Sequence, residues 1–174
     1  MRYLQKHVLI VISVWFQCVW FLAVLGRETM FYYLIPFICL GLYLIAKLYR
    51  IQWSPLVALL FVGLLVDSCN QALGLLEFST QWLPSWLLAL WVAFSLYAFV
   101  LLPQLNRFPK WAVLCVGGLG GSLSYLAGLK FGAVTTTFSK LFFVSVLFVE
   151  WVLLLVIASL LIARFPLVQK ELRE

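Results

Sequence analysis

Residues 117–132 read GGLGGSLSYLAGLKFG, and the fold class turns on how that string is read. Six glycines in sixteen residues would mark a loop in water. The flanks decide otherwise, because WAVLCV precedes the string and apolar residues run through it. Gly120, Ser124, Gly128 and Gly132 recur every four residues, with Gly117 and Gly121 on a neighbouring line. In a bilayer, a stripe of small residues lets a neighbouring helix or a ligand approach the backbone closely. Helix packing is the plain reading of Gly117, Gly120, Gly121, Gly128 and Gly132. Ser122, Ser124 and Tyr125 on the same stretch are more than packing requires. The string is no phosphate loop: it lacks G-x-x-x-x-G-K-[ST] and follows no strand.

The rest of the chain agrees that the solvent is lipid. Of 174 residues, 66% are hydrophobic and 10% charged, with a mean hydropathy of +1.11, whereas soluble domains carry about 25% charged residues. The apolar blocks are long enough to cross ~30 Å of hydrocarbon as helices, and the alternating pattern of a β-barrel is missing. The expected fold is all-α, a single transmembrane domain over 1–174. Its six spans are Val8–Leu25, Phe31–Ala46, Pro55–Leu76, Leu83–Leu102, Trp111–Leu129 and Leu141–Ala163. No connection holds a soluble domain, and the two three-helix halves share no visible repeat. The first span exceeds a signal-peptide core of about 7–15 residues and lacks a small-x-small cleavage site, so it is read as retained.

A net charge of +6 invites a nucleic-acid reading. The charges form no basic face, which excludes it. They follow topology instead. With both termini on one side, that side holds Arg2, Lys6, Lys47, Arg50, Arg107, Lys110, Arg164, Lys170 and Arg173; the other holds Arg27, Lys130 and Lys140. The positive-inside rule then places both termini in the cytoplasm. Tyr32, Tyr33, Tyr49, Trp53, Trp82, Trp86 and Trp111 read as an interfacial belt. Trp91 and Trp151 lie too deep for anchoring. Cys18, Cys39, Cys69 and Cys115 lie within spans without a C-x-x-C pair, and are expected as small buried hydrophobes. No disulfide framework, metal site or cofactor is expected.

Two acids fall inside the membrane. Asp67 lies about 18 Å beyond Pro55 and Glu150 about 14 Å past Leu141 at helical rise, so both are near the midplane. Gly63, Asp67, Asn70, Gln71 and Gly74 line one face of the third span. An intramembrane carboxylate of this kind marks a substrate site, an ion site or a proton relay, or else an interhelical hydrogen-bond cluster. Glu150 has only apolar helical neighbours, so either it meets a partner (Asp67, Gln17, Ser122, Ser124 or Tyr125) or it is protonated by desolvation. Lys130 and Lys140 flank the last outer connection, either snorkelling to headgroups or rimming a funnel above the acids. Thr135, Thr136 and Thr137 are read as capping the sixth helix. The sole histidine, His7, lies at the membrane edge. No buried Ser–His pair is possible, which weighs against an enzyme.

Three blocks resemble a bacterial family of small inner-membrane proteins whose shared domain has no known function. They are Gly63-Leu-Leu-Val-Asp67 with Gly74 and Phe78; Pro84-Ser-Trp86-Leu with Leu90-Trp91 and Phe94; and Gly121-Ser-Leu-Ser124-Tyr125 with Gly128, Lys130, Gly132 and Ala133. The family usually has Pro where Ser122 stands, and a more polar stretch where SLYAFVLL follows Phe94. The resemblance implies a multi-pass inner-membrane protein, and its gene neighbourhoods hint at membrane fatty acids. The expected function is non-enzymatic binding or transport of a lipid or small amphiphile, with Asp67, Asn70, Gln71, Ser124, Tyr125, Lys130, Lys140 and Glu150 as candidate ligand-binding residues. The alternatives are a membrane-embedded lipid- or acyl-chain-modifying enzyme or its accessory, and a substrate-binding subunit of a larger transporter. The bilayer is the certain partner; a homo-oligomer or membrane partner could use the glycine stripe.

Overall fold

The computed structural model describes residues 2–165 and 168–169, with the side chains of residues 7–165. The helices are α1 (Arg2–Gly26), α2 (Phe31–Leu48), α3 (Trp53–Ala72), α4 (Ser85–Leu105), α5 (Lys110–Lys130) and α6 (Lys140–Ala163), with a 3₁₀ turn, Arg27–Met30, joining α1 to α2. Five helical stretches are long and apolar enough to cross a membrane, the first being His7–Leu48, which holds both α1 and α2. The chain folds back within that stretch. Trp15 Nε1 donates to the Phe37 carbonyl at 2.8 Å, and Trp15 fills the space beside Gly41. In one straight helix those residues would lie about 33 Å apart. The only strands among the described residues are β1 (Tyr49–Arg50) and β2 (Val168–Gln169), an antiparallel pair tying the end of α2 to the chain after α6.

α4 is the core of the bundle and packs against α1, α2, α3 and α6. It is the most buried helix, with Trp86, Trp91, Phe99 and Val100 each under a tenth exposed. The other helices expose large apolar residues such as Phe61, Val116 and Leu141, a surface that only a bilayer solvates at no cost. The four cysteines also face outward, contrary to the expected burial. In lipid the exterior is as apolar as the core, so a small thiol has no drive inward.

α3 and α5 end alike, and this corrects one expectation. The third span stops at Ala72, four residues before the expected Leu76. Gly74 there takes φ +72°, and Gly132 after α5 takes φ +68°. In both, the glycine N–H returns to the third residue back and the next N–H to the fifth: Gly74 to Gln71 and Leu75 to Asn70, Gly132 to Leu129 and Ala133 to Gly128. That is a Schellman motif, which a left-handed glycine permits. Glu77 and Thr135 then exchange both backbone hydrogen bonds at 2.9 Å. Glu77 and Thr135 are 58 residues apart, as are Asp67 and Tyr125; Gly63–Gly121 and Gly74–Gly132 keep the same spacing. The ends of α3 and α5 thus repeat one motif at a fixed spacing of 58 residues and pair with each other through it. The repeat was invisible in sequence because it does not divide the chain into halves.

Smaller corrections concern the ends. α4 continues through Pro103 to Leu105. α6 is capped by Ser139, whose side chain accepts from Phe142 N–H, not by the threonine run. Thr135 instead joins Glu77, and Thr136 Oγ1 accepts from Phe138 N–H. Pro166 and most of the charged tail lie outside the described residues.

Candidate functional site

The centre of the bundle holds a polar knot. Asp67 on α3 is 1% exposed. Trp91 Nε1 on α4 donates to its Oδ2 at 2.6 Å. The Tyr125 hydroxyl on α5 donates to the same carboxylate, 2.7 Å from Oδ1 and 2.8 Å from Oδ2. One turn further along α3, Asn70 Nδ2 donates to Glu150 Oε2 on α6 at 2.7 Å. Four helices are thus pinned through two carboxylates, at the interface between the α3–α4 and α5–α6 hairpins. Glycines make the geometry possible. A Cβ at Gly63 would overlap the Trp91 ring, and one at Gly121 the Trp151 ring. The two indoles stack with centroids 5.8 Å apart and planes 9° apart.

Asp67, Trp91, Tyr125, Glu150 and Trp151 enclose a cavity of about 10 Å³. A space of that size is at the threshold for one water. The acids share a depth and a void, as their helical positions suggested, but no acyl group or headgroup fits between them.

The larger spaces lie on the other side of Trp151 and Tyr125. α1 and α5 stand apart over α4, leaving a lateral groove of about 790 Å³, within the ~300–1,000 Å³ of ligand clefts. It runs from Leu105, Phe108 and Ala112 at one end of the bundle to Ser124 and Ala127 near the other. There it meets a narrow apolar throat of about 60 Å³, sharing Phe16, Trp20 and Ser124 with it. The throat in turn shares Phe78, Trp86, Ala133 and Val134 with a polar vestibule of about 530 Å³ at the loop end. The three spaces adjoin one another through these shared lining residues.

The vestibule is roofed by the turn after α1. Arg27 takes a left-handed φ of 51°, and its Nη2 donates to the Phe131 carbonyl at the end of α5 at 2.5 Å. Glu28 accepts from the backbone N–H of Ser85 at 3.0 Å and bonds the Ser85 hydroxyl at the start of α4. A cation at a helix C-terminus and an anion at an N-terminus each complement the helix dipole.

The sequence candidates separate into groups. Asp67, Asn70, Tyr125 and Glu150 come together in the knot. Ser124 leaves it, accepting from Trp20 Nε1 at 2.7 Å in the groove and throat. Gln71 turns away to the carbonyls of Thr80 and Gln81, at 3.3 and 3.2 Å, and holds the loop after α3. Lys130 and Lys140 are exposed and line neither groove, throat nor vestibule. Glu150 finds Asn70 as its partner, while Ser122 bonds back to Leu119. The glycines divide too: Gly117 and Gly121 abut Leu155 and Trp151 on α6, whereas a Cβ at Gly120 would meet nothing within 4 Å and face the groove. Gly128 lines the throat. Arg27, Glu28 and Trp20 were missed. Arg27-Glu28 reads as turn punctuation and Trp20 as one more apolar residue; only the fold sets them around these spaces.

A family model described as "Protein of unknown function (DUF2878)" matches residues 9–157. No curated protein and no solved structure matches the chain.

Proposed function

We propose a role in lipid binding for this chain, which belongs to the DUF2878 family of proteins of unknown function: a bacterial inner-membrane protein that holds a lipid or similar amphiphile in the groove between α1 and α5. In this reading α1 and α2 cross separately, giving six crossings with both termini cytoplasmic. The positive-inside count supports that orientation. The vestibule then opens outward.

The observation that carries the proposal is the succession of groove, throat and vestibule, each sharing lining residues with the next. An apolar slot facing hydrocarbon along most of its length suits an acyl chain, and a polar chamber at its outer end suits the entry of a polar head. The knot of Asp67, Trp91, Tyr125, Asn70 and Glu150 supports the wall of this slot and does no chemistry. Repeated elements that meet near the midplane are also how many transporters build a path, so movement along the groove is a natural extension of binding.

Gly120→Leu tests the proposal, because Gly120 lines the groove and a Cβ there meets no neighbour within 4 Å. Lipids co-purifying with the wild type and the variant are compared by mass spectrometry. The expected result is an unchanged melting temperature with retained lipid lowered about tenfold, equivalent to ~1.4 kcal/mol of affinity. Equal lipid retention by a folded Gly120→Leu variant would sink the groove as the binding site.

A further inference from the structure

We infer that the groove takes an amphiphile whose head is uncharged and carries a hydroxyl or carbonyl oxygen, and that Gln17 and Ser124 are the groups that read that oxygen. The inference rests on the groove being the binding site, and adds the chemical class of what it binds.

The first observation is what the groove lacks. No Lys, Arg, His, Asp or Glu lines either the groove or the throat. A phosphate drawn into that space would be an unpaired charge in an apolar medium, which is strongly disfavoured. Charged groups occur only in the outer vestibule, where Arg27, Glu28 and Glu77 line the wall. Arg27 is already engaged with the Phe131 carbonyl and Glu28 with Ser85.

The second observation is what the groove offers. Ser68, Ser95 and Ser122 return their hydroxyls to carbonyls of their own helices. Ser124 does not. Its oxygen accepts from Trp20 Nε1 at 2.7 Å, which leaves its proton free to donate into the space it lines. Gln17, three residues before Trp20 on α1, also lines the groove, and its amide makes no hydrogen bond among the described residues. A primary amide has two donors and one acceptor. Left facing hydrocarbon, those groups have no partner. Gln17 lies about 14 Å along α1 from Gly26 and Ser124 about 9 Å along α5 from Lys130, taking helical rise. Together with the Ser13 and Tyr97 hydroxyls, which line the same groove and bond each other at 3.2 Å, they place donors and acceptors partway down a slot whose remaining lining is mostly apolar. Their complement is a neutral oxygen head, such as a fatty alcohol, a protonated fatty acid or a diacylglycerol, that has passed below the vestibule.

The test uses the full chain in phosphatidylcholine nanodiscs with three photoactivatable probes of one chain length: hexadecanol, hexadecyl phosphate and hexadecane, each bearing a diazirine on the chain. Cross-linked peptides are mapped by mass spectrometry. The expected result is labelling of residues 112–127 by hexadecanol at least about tenfold stronger than by hexadecyl phosphate, a gap of ~1.4 kcal/mol. Gln17→Leu, an exposed position whose change disturbs no packing, should lower hexadecanol labelling several-fold and leave hexadecane labelling unchanged. Ser124→Ala should do the same, with its melting temperature checked because Trp20 loses its acceptor. Equal labelling by hexadecanol and hexadecyl phosphate overturns the inference, as does a hexadecanol preference that survives in Gln17→Leu, while the groove stands. Absence of labelling by all three probes overturns both the inference and the groove.

Discussion

Replacing Asp67 separates a structural carboxylate from a functional one. Asp67→Ala removes the acceptor of two buried donors, Trp91 Nε1–H and the Tyr125 hydroxyl. Interhelical hydrogen bonds in bilayers average about 0.6 kcal/mol and reach about 1.7, whereas a buried donor left unpaired costs about 1–3 kcal/mol. Two orphaned donors spread over α4 and α5 imply a loss on the order of 2–4 kcal/mol. Asp67→Asn should behave differently. Trp91 can only donate, so the amide oxygen must face it. Tyr125 can accept as well as donate, so the amide NH₂ can face the phenol. Both contacts survive with reversed polarity at one of them, and the loss should stay within about 1 kcal/mol. Reversible unfolding in mixed micelles at several denaturant concentrations gives both numbers, and lipid retention is read on the same samples. The reasoning fails if Asp67→Asn is as damaging as Asp67→Ala. It fails equally if Asp67→Asn unfolds normally yet retains no lipid, because charge or proton transfer at Asp67 would then matter in itself.

Other positions give sharper local tests. Gly121→Ala drives a methyl into the Trp151 ring, which is pinned by stacking on Trp91, and should lower stability by about 1–3 kcal/mol in a thermal melt. Gly74→Ala and Gly132→Ala both force a side chain into left-handed backbone. Each should cost about 1–2 kcal/mol; because a Cβ at Gly74 meets nothing within 4 Å, a loss there measures the backbone term alone. The native cysteines all face outward, so a cysteine-free chain should melt within about 0.5 kcal/mol of wild type. In that background, Asn106→Cys should react with an impermeant maleimide only from the cytoplasmic face and Ser79→Cys only from the outer face; the reverse pattern would invert the orientation.

Much of the architecture was legible because lipid imposes it locally. Apolar length predicted where the helices run, and the interior acids were found because charge within hydrocarbon has few uses. The pairing of Asp67 with Tyr125 was not legible. Their spacing of 58 residues carries no signal in sequence, since one partner is an acid and the other a phenol, and the repeat relating them survives mainly in its glycines. Gln71 looked equivalent to Asn70 on a helical wheel, yet it lies in the last turn of α3, where the free carbonyls of the following loop capture it. For Lys130 and Lys140 the sequence left snorkelling and a rim both open; both are exposed at helix ends and line none of the three spaces, as long basic side chains turned toward water and headgroups would.

Residues 117–132 mark the division most clearly. Composition alone determined that this string is a helix in a membrane, because no soluble core could accommodate its flanks. It also determined that something must come close to the glycines. Which glycine meets what is a property of the tertiary structure. All of Gly117, Gly120, Gly121 and Ser124 line the groove, but an added Cβ meets α6 at Gly117 and Gly121 and open space at Gly120. The physical reason is that a helix face of small residues lowers the barrier to close approach from any side, and only the positions of the other helices decide which side is filled and which is left open.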